Sequence, residues 1–552
     1  MDKVRIFALG GLDENGKNMY VIEVNEAIFI IEAGLKYPDT EQLGVEFVIP
    51  DFSYLIENKD RIKGIFITHA HDDVMAALPY LIKQIQAPIY TGALTANILH
   101  DVFKKEGIKG VKIHRVKRTS RQVIGGVKVR TFAMTHAFPD TFGIAISTDQ
   151  GFIVYTGEFI VDYDMLKKEY RCDINELSDI GNKGVLCLLS ESQGVERSGH
   201  TAPNHRITSL IEPIFENNEG RILISAYQQS LFRIIEIIDL AKKYHKKIFF
   251  HDKELRKLLK HLDIMKYYHV PKELVIDEKK FSNDIEDVIV LITGSGKNLF
   301  RKMSNIANHD DPLVHFRASD SIVVASPVVS GTEIEANNME NEIYKEGGKI
   351  FSLNSKTVLS MHPSSEDLKM MLYLFKPKFY IPVKGEYRHL VMNANLATNM
   401  GYLPDHILIL DNGQIADFEN GILTSVGQQL ELEDTLIDGK ENWDVTGVVL
   451  KDREVLSTDG VMIVGVGVNM KTKEIINGPD VQTRGLIYLK DAEHIVKEVG
   501  NIVAQCILDA VKDKSYDNLT VRGEARDKIS RYLAKETGKR PMVLPVIIEI
   551  NI

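Results

Sequence analysis

The sequence predicts an α/β protein of several domains, and three observations lead there. At 552 residues the chain is longer than one hydrophobic core usually organises, so two to four domains are expected. Its first two hundred residues alternate short apolar, β-branched runs with turns, the pattern of strands. From about residue 205 strands alternate with amphipathic helices, which implies a parallel sheet and a separate α/β domain.

Along the first region, Val4 to Leu9, Met19 to Val24 and Ala27 to Ile31 read as strands, with Glu32 closing the third. The turn Gly10-Gly11 to Asn18 is glycine-rich, but no helix follows it, so a phosphate loop is not indicated. Gly64 to Ile67 is a further apolar strand, and it ends in His69-x-His71-x-Asp73. Side chains two apart on a strand point the same way. Two imidazoles and a carboxylate converging there suit a zinc- or manganese-class cation. A lone His-x-His is as readily a surface loop, so partners elsewhere in the chain matter. Thr131 to His136 is another strand ending in histidine, and Gly151 to Glu158 a strand ending in a carboxylate.

In the second region, Ile207 to Glu216 and Leu231 to Tyr244 read as helices. Arg221 to Ala226, Lys247 to Phe250, Val288 to Thr293 and Ser321 to Ser326 read as buried strands. Ligands in such sheets sit at the carboxyl ends of strands, here Thr293-Gly294-Ser295-Gly296-Lys297 and Ser326-Pro327. Residues 356–427 return to the first domain. The acidic passage 428–447 reads as a linker. Residues 448–552, with a helix from Ala492 to Val511 and a last strand Val543 to Ile550, read as a small C-terminal α/β domain.

Composition narrows the class. Hydrophobic content of 44% and charged content of 26% are ordinary for a globular protein. Net charge is −10, from 77 acidic and 67 basic residues. That is not the overall signature of a nucleic-acid binder, although a local basic channel would suffice for one. Cys172, Cys187 and Cys506 are scattered, so neither a disulfide framework nor a zinc ribbon is expected. The N-terminus reads as a strand rather than a signal peptide, and no apolar run reaches membrane-spanning length. A cytoplasmic location without membrane contact is the expectation.

The series His69-x-His71-x-Asp73, His136 and Glu158 resembles the metallo-β-lactamase superfamily, whose ligands sit on strand-end loops of an αββα sandwich. The inserted helix–strand region, Glu191-Ser192, His362 and Pro382-Val383-Lys384-Gly385-Glu386 together resemble its β-CASP group. The Gly10 to Asn18 turn, His362-Pro363-Ser364-Ser365-Glu366-Asp367 and Arg540-Pro541-Met542-Val543-Leu544-Pro545 are similar to ribonuclease J. The resemblance covers essentially the whole chain. It implies the domains 1–204 and 356–427 (metallo-β-lactamase), 205–355 (β-CASP) and 448–552 (assembly). It implies 5′-to-3′ exonuclease and endonuclease action on RNA with two metals, in rRNA maturation and mRNA turnover.

Carried over by position, the resemblance places a first metal on His69, His71 and His136 with Glu158 bridging. The second would need Asp73, Glu158 and the family histidines that stand here as Val74 and Lys384. Valine cannot ligate, and a lysine ammonium has no lone pair. One divalent metal, zinc or manganese, is therefore expected, with the second site lost. Asp73 and His362 are the expected catalytic residues. Glu191 and the loop Val358-Leu359-Ser360-Met361-His362 with Ser364 are the expected substrate contacts. Ser360 and Ser364 would take phosphate at the following helix N-terminus. His362 could instead be a helix-capping surface residue. Thr293-Gly294-Ser295 fits a family loop whose Gln-Gly-Glu continuation is here Gly296-Lys297-Asn298. Lys384 could place its ammonium between Asp73 and Glu158 as a fixed charge, or else point to solvent or pair with Glu386. These departures resemble a degenerate paralogue of the family that works beside an active one, or pairs with a second copy. A ribonuclease of low activity, a non-catalytic RNA-binding scaffold and a one-metal hydrolase are the competing readings.

Overall fold

The computed structural model describes residues 2–38, 42–218, 220–329, 331–439, 447–486 and 493–551. The chain divides into two compact units, Met1–Lys36 with Ile49–Thr435, and Tyr37–Val48 with Leu436–Ile552.

The first unit contains the αββα sandwich expected from the sequence. One sheet has eight strands, in which Ala27–Ile31, Ile62–Ile67 and Ile89–Thr91 run parallel side by side. The other has six, with Phe379–Val383, Val185–Glu191 and Gly151–Tyr155 parallel, then Phe142–Thr148, Val127–Ala133 and Ser120–Ile124 antiparallel. Alternation along each strand sends one set of side chains into a shared core: Phe29, Ile31 and Phe66 from the first sheet meet Ile144, Ile153, Leu189 and Ile381 from the second. The opposite set on the second sheet, Phe132, Val154, Leu188 and Tyr380, packs on helices Ile174–Asn182, Ser365–Phe375 and Tyr387–Asn399 through Leu177, Leu372 and Ala397. Burial on both faces explains why these strands read as continuous apolar runs. Consequently the carboxyl ends of Ile62–Ile67, Val127–Ala133, Gly151–Tyr155, Val185–Glu191 and Phe379–Val383 are where the chain must turn, and the candidate site residues sit on those turns.

Between the sandwich segments lies a five-stranded parallel sheet in the order Lys247–Phe250, Val288–Gly294, Ile222–Tyr227, Ser321–Val324, Lys349–Ser352. Helices Gly296–Ala307 and Glu333–Lys345 share one of its cores. A fully buried ion pair fastens it: Arg221 donates through Nε at 2.9 Å and Nη2 at 2.6 Å to the two Asp320 carboxylate oxygens. Such a bidentate pair satisfies both charges at once.

The second unit differs from the expectation in two ways. It takes in residues 37–48 from the N-terminal region, joined by the Arg453 Nη1 donation to the Leu43 carbonyl at 3.0 Å and the Glu46 amide donation to the Ile437 carbonyl at 2.8 Å. Its three-stranded sheet, Ile475–Arg484, Val461–Asn469 and Met542–Ile550, buries Met462, Val464, Val466 and Val468 against two long helices, not one. Glu493–Lys512 matches the helix expected from sequence, apart from Ala492, which lies outside the described residues. Asn518–Thr537 was not expected, yet its signals are present: Asp517 accepts from the Thr520 amide, and Gly538 stops it in the left-handed region at φ 71°. The passage 428–447 is also more ordered than a linker, since strand Ile422–Gln429 ends in it and strand Thr435–Ile437 lies within it; residues 440–446 lie outside the described residues. Among the described residues no helix is long and apolar enough to cross a membrane.

Candidate metal centre

His69 and His71 lie on the turn that follows strand Ile62–Ile67, and their ring centroids are 4.4 Å apart. His136 follows Val127–Ala133 and Glu158 follows Gly151–Tyr155. The two sheets therefore bring together four residues separated in sequence, all buried, whose ligand atoms lie within 4.8 Å of one another.

Hydrogen bonds on the outer ring nitrogens decide which lone pairs face inward. The Thr68 hydroxyl donates to Glu32 Oε1 at 2.6 Å, so Thr68 Oγ1, 2.9 Å from His69 Nδ1, accepts from it and leaves His69 Nε2 bare. His71 Nε2 donates to the Gln229 carbonyl at 3.1 Å, leaving Nδ1. His136 Nδ1 donates to the Met361 carbonyl at 2.8 Å, leaving Nε2. These three nitrogens lie 3.6, 3.4 and 3.0 Å from Glu158 Oε2. Burial keeps the imidazoles neutral: it holds His69 and His136 well below their ordinary range, helped by neighbouring rings, and takes His71 down to about 4. Burial also pushes the Glu32 carboxyl up to about 8, against the lowering effect of its two bonds from Thr68.

His69 Nε2 and Glu158 Oε2 are buried and without a hydrogen-bond partner. Orphaned polar atoms at the focus of three neutral imidazoles are what a cation-binding site presents before loading. The residues fit a divalent metal.

Lys384 occupies the other side of Glu158. Its side chain is 3% exposed, and its ammonium donates to Asp73 Oδ2 at 2.7 Å and to Glu158 Oε1. Glu386 is engaged elsewhere, accepting from Arg388 Nε at 2.8 Å. Burial alone would raise the Asp73 carboxyl, but the Lys384 ammonium, together with the neighbouring His71 and His69 rings, holds Asp73 well below the usual carboxylate range. The Lys384 backbone is in the left-handed region at φ 54°, its amide donating to the Gly11 carbonyl at 2.9 Å and its carbonyl accepting from the Ser192 amide at 3.0 Å. The glycine-rich turn thus braces the lysine. The same turn supplies Asn18, whose Nδ2 donates to Asp73 Oδ2 at 3.1 Å. Gly34 must be glycine, since a Cβ there would meet the Asp73 carbonyl oxygen at 1.7 Å. Val74 is buried beside Asp73 and offers only methyl groups.

The expected substrate residues separate into two sets. Ser360 is exposed, and His362 faces the centre with Nδ1 3.8 Å from Glu158 Oε2. His362 thus faces the ligand cluster and does not cap a helix. Glu191 and Ser364 are corrections. Glu191 is buried, with one oxygen accepting from the Phe159 amide at 2.7 Å and the other paired with His362 Nδ1 at 2.8 Å, so both oxygens are engaged within the protein and the residue orients His362. Ser364 is buried as the cap of helix Ser365–Phe375, its hydroxyl 2.8 Å from Thr201 Oγ1 and its amide donating to Asp367, so it has no bond left for phosphate. Val358 is a core residue, and Leu359 and Met361 contribute through their backbones.

Sequence reasoning passed over Arg197, Thr201 and Gln229. Arg197 donates to Ser360 O and Oγ, both at 3.2 Å, and to the His362 carbonyl at 2.8 Å, while the Thr201 hydroxyl donates to that carbonyl at 2.7 Å. Gln229 acts mainly through its carbonyl, which no residue type encodes.

Comparisons with known proteins agree with this geometry. The metallo-β-lactamase superfamily model matches residues 12–184, the ribonuclease J β-CASP domain model 219–343, and the ribonuclease J C-terminal domain model 448–550. The chain is 34% identical over 549 residues to Ribonuclease J 2 of Staphylococcus aureus strain NCTC 8325 and to that of Staphylococcus epidermidis strain RP62A, covering 99% of this chain and 98% of each relative. A solved structure of a protein of unknown function from Enterococcus faecalis V583 matches with a TM-score of 0.52 at 13% identity, over 75% of this chain and 100% of that one; that likeness concerns the fold alone.

Proposed function

The chain belongs to the ribonuclease J family of metallo-β-lactamase/β-CASP nucleases, and on that premise we propose that it serves RNA maturation and turnover as a one-metal subunit of low intrinsic activity, working beside an active paralogue. The observation that carries this reading is the Lys384 ammonium bound to both Asp73 and Glu158, where a second cation would need free ligands. Paired divalent metals, when bound, polarise the scissile phosphate and steady both the attacking and leaving oxygens. An ammonium offers the charge without the lone-pair acceptor orbitals of a metal, so it neutralises the carboxylates and leaves that chemistry unsupplied.

The RNA-facing parts remain. His362, turned by Glu191 and held through its carbonyl by Arg197 and Thr201, presents a ring beside the centre where a phosphate would lie. Ser360 adds an exposed hydroxyl on the same braced loop. These support RNA engagement by a chain whose hydrolytic centre is incomplete. A one-metal hydrolase is the second reading, favoured by the intact His69, His71, His136 and Glu158 cluster.

Metal analysis of the gel-filtered protein is expected to find one tightly held zinc- or manganese-class equivalent per chain; two equivalents would overturn the one-metal reading. Association with the paralogue is assigned to the C-terminal domain, whose core is independent and which bears no catalytic motif. A truncation after residue 445 is expected to lose co-purification with the paralogue, and retention at full yield would refute that assignment.

A further inference from the structure

We propose that the metal centre of this chain is closed: His69 Nε2, His71 Nδ1, His136 Nε2 and Glu158 Oε2 fill all four positions of a tetrahedral cation, which serves as a structural tie. This rests on the one-metal reading above and goes beyond it by assigning the metal's role.

The distances carry the argument. A tetrahedral site with bonds of about 2.0–2.1 Å has ligand-to-ligand edges of about 3.3–3.4 Å. Of the six edges, four lie near this value: Glu158 Oε2 is 3.6, 3.4 and 3.0 Å from the three nitrogens, and His71 Nδ1 is 3.5 Å from His136 Nε2; the two edges from His69 Nε2 to the other histidines fall within 4.8 Å. Catalytic zinc sites hold three protein ligands and keep the fourth position for water or substrate, whereas structural sites use four. Here the fourth position faces Glu158 Oε2. That oxygen is fixed there because its twin, Oε1, is held by the Lys384 ammonium on the opposite side. The lysine therefore does two things: it removes one cation and turns the shared carboxylate into a terminal ligand of the other. Solvent access is limited, since His69, His136 and Glu158 are at most 1% exposed and His71 is 8% exposed.

The outer bonds of the same four residues show what a cation would tie together. His71 reaches Gln229 of the inserted domain, 158 residues away; His136 reaches Met361 of the His362 loop, 225 residues away; Glu158 reaches Lys384, 226 residues away. A cation at their focus links the sandwich, the insertion and the RNA-facing loop, and its binding free energy adds to the stability of that arrangement.

The test uses the full-length chain loaded with cobalt(II) as a spectroscopic probe. A closed site is expected to give intense tetrahedral visible bands that do not move when azide is added. In Glu158→Asp, whose shorter side chain withdraws the fourth ligand, azide is expected to shift them. Chelation of the parent is expected to lower its melting temperature by roughly 5 °C or more. Azide-dependent bands in the parent at one cobalt per chain would overturn the closed site while leaving the one-metal reading intact. Two cobalt equivalents would overturn both. An unchanged melting temperature on chelation would refute the tie. The parent measurements decide the matter if Glu158→Asp does not fold.

Discussion

Lys384→Met is expected to lower the melting temperature sharply in metal-free buffer. Methionine keeps most of the volume and removes the charge. Glu158 then keeps a buried oxygen with no cation, and among the described residues Asp73 keeps only Asn18 as a side-chain donor to Oδ2. Removing one partner of a buried ion pair typically costs about 3–5 kcal/mol, and the partial exposure of Asp73 trims its share. Asp73→Asn added to Lys384→Met removes one of the two stranded charges and is expected to restore part of the loss. The pH dependence has a definite sign. The Asp73 carboxyl is depressed in the folded state, so its contribution is present above the ordinary carboxylate value of about 3.9 and is lost as pH falls through the depressed one. The Asp73 share of the gap between parent and variant should narrow only in strong acid. An unchanged melting temperature for Lys384→Met would show that the ammonium does not stabilise the centre.

The triple variant Val74→His/Glu158→Asp/Lys384→His is expected to bind a second metal equivalent and to gain exoribonuclease activity of roughly 10²-fold or more over the parent, the scale of a few kcal/mol of transition-state stabilisation. Each change has a separate purpose. The two histidines restore lone pairs, and the shorter aspartate frees the carboxylate from its terminal place on the first cation. Val74 is buried, so the larger imidazole must be accommodated, and circular dichroism with metal counting establishes that it is. A folded, two-metal triple variant no faster than the parent would mean that lost ligands are not what limits the chain. In that case the RNA-facing loop that carries Ser360 and His362 becomes the first suspect.

What the sequence by itself determined is the set of parts. Strand periodicity placed His69 and His71 on one side of a strand end, and residue chemistry ruled Val74 out as a ligand, because these properties are local to the chain. The helix–strand alternation of the insertion was legible for the same reason. Other features had local signals that went unread: Asp517 and Gly538 bracket a helix too polar to stand out by periodicity. Tertiary structure alone decided the rest. Glu191 and Ser364 look like substrate contacts until burial shows that their hydrogen bonds are already made within the protein. The joining of residues 37–48 to the C-terminal unit depends on contacts across some four hundred residues, between Arg453 and Leu43 for one. The Gln229 and Met361 carbonyls that set the ligand tautomers belong to the backbone, which every residue type shares. The role of Lys384 was likewise undecided in sequence. A long flexible side chain can reach solvent, Glu386 or the metal centre, and only a buried pocket with two carboxylates and a left-handed backbone at φ 54° leaves it a single low-energy place.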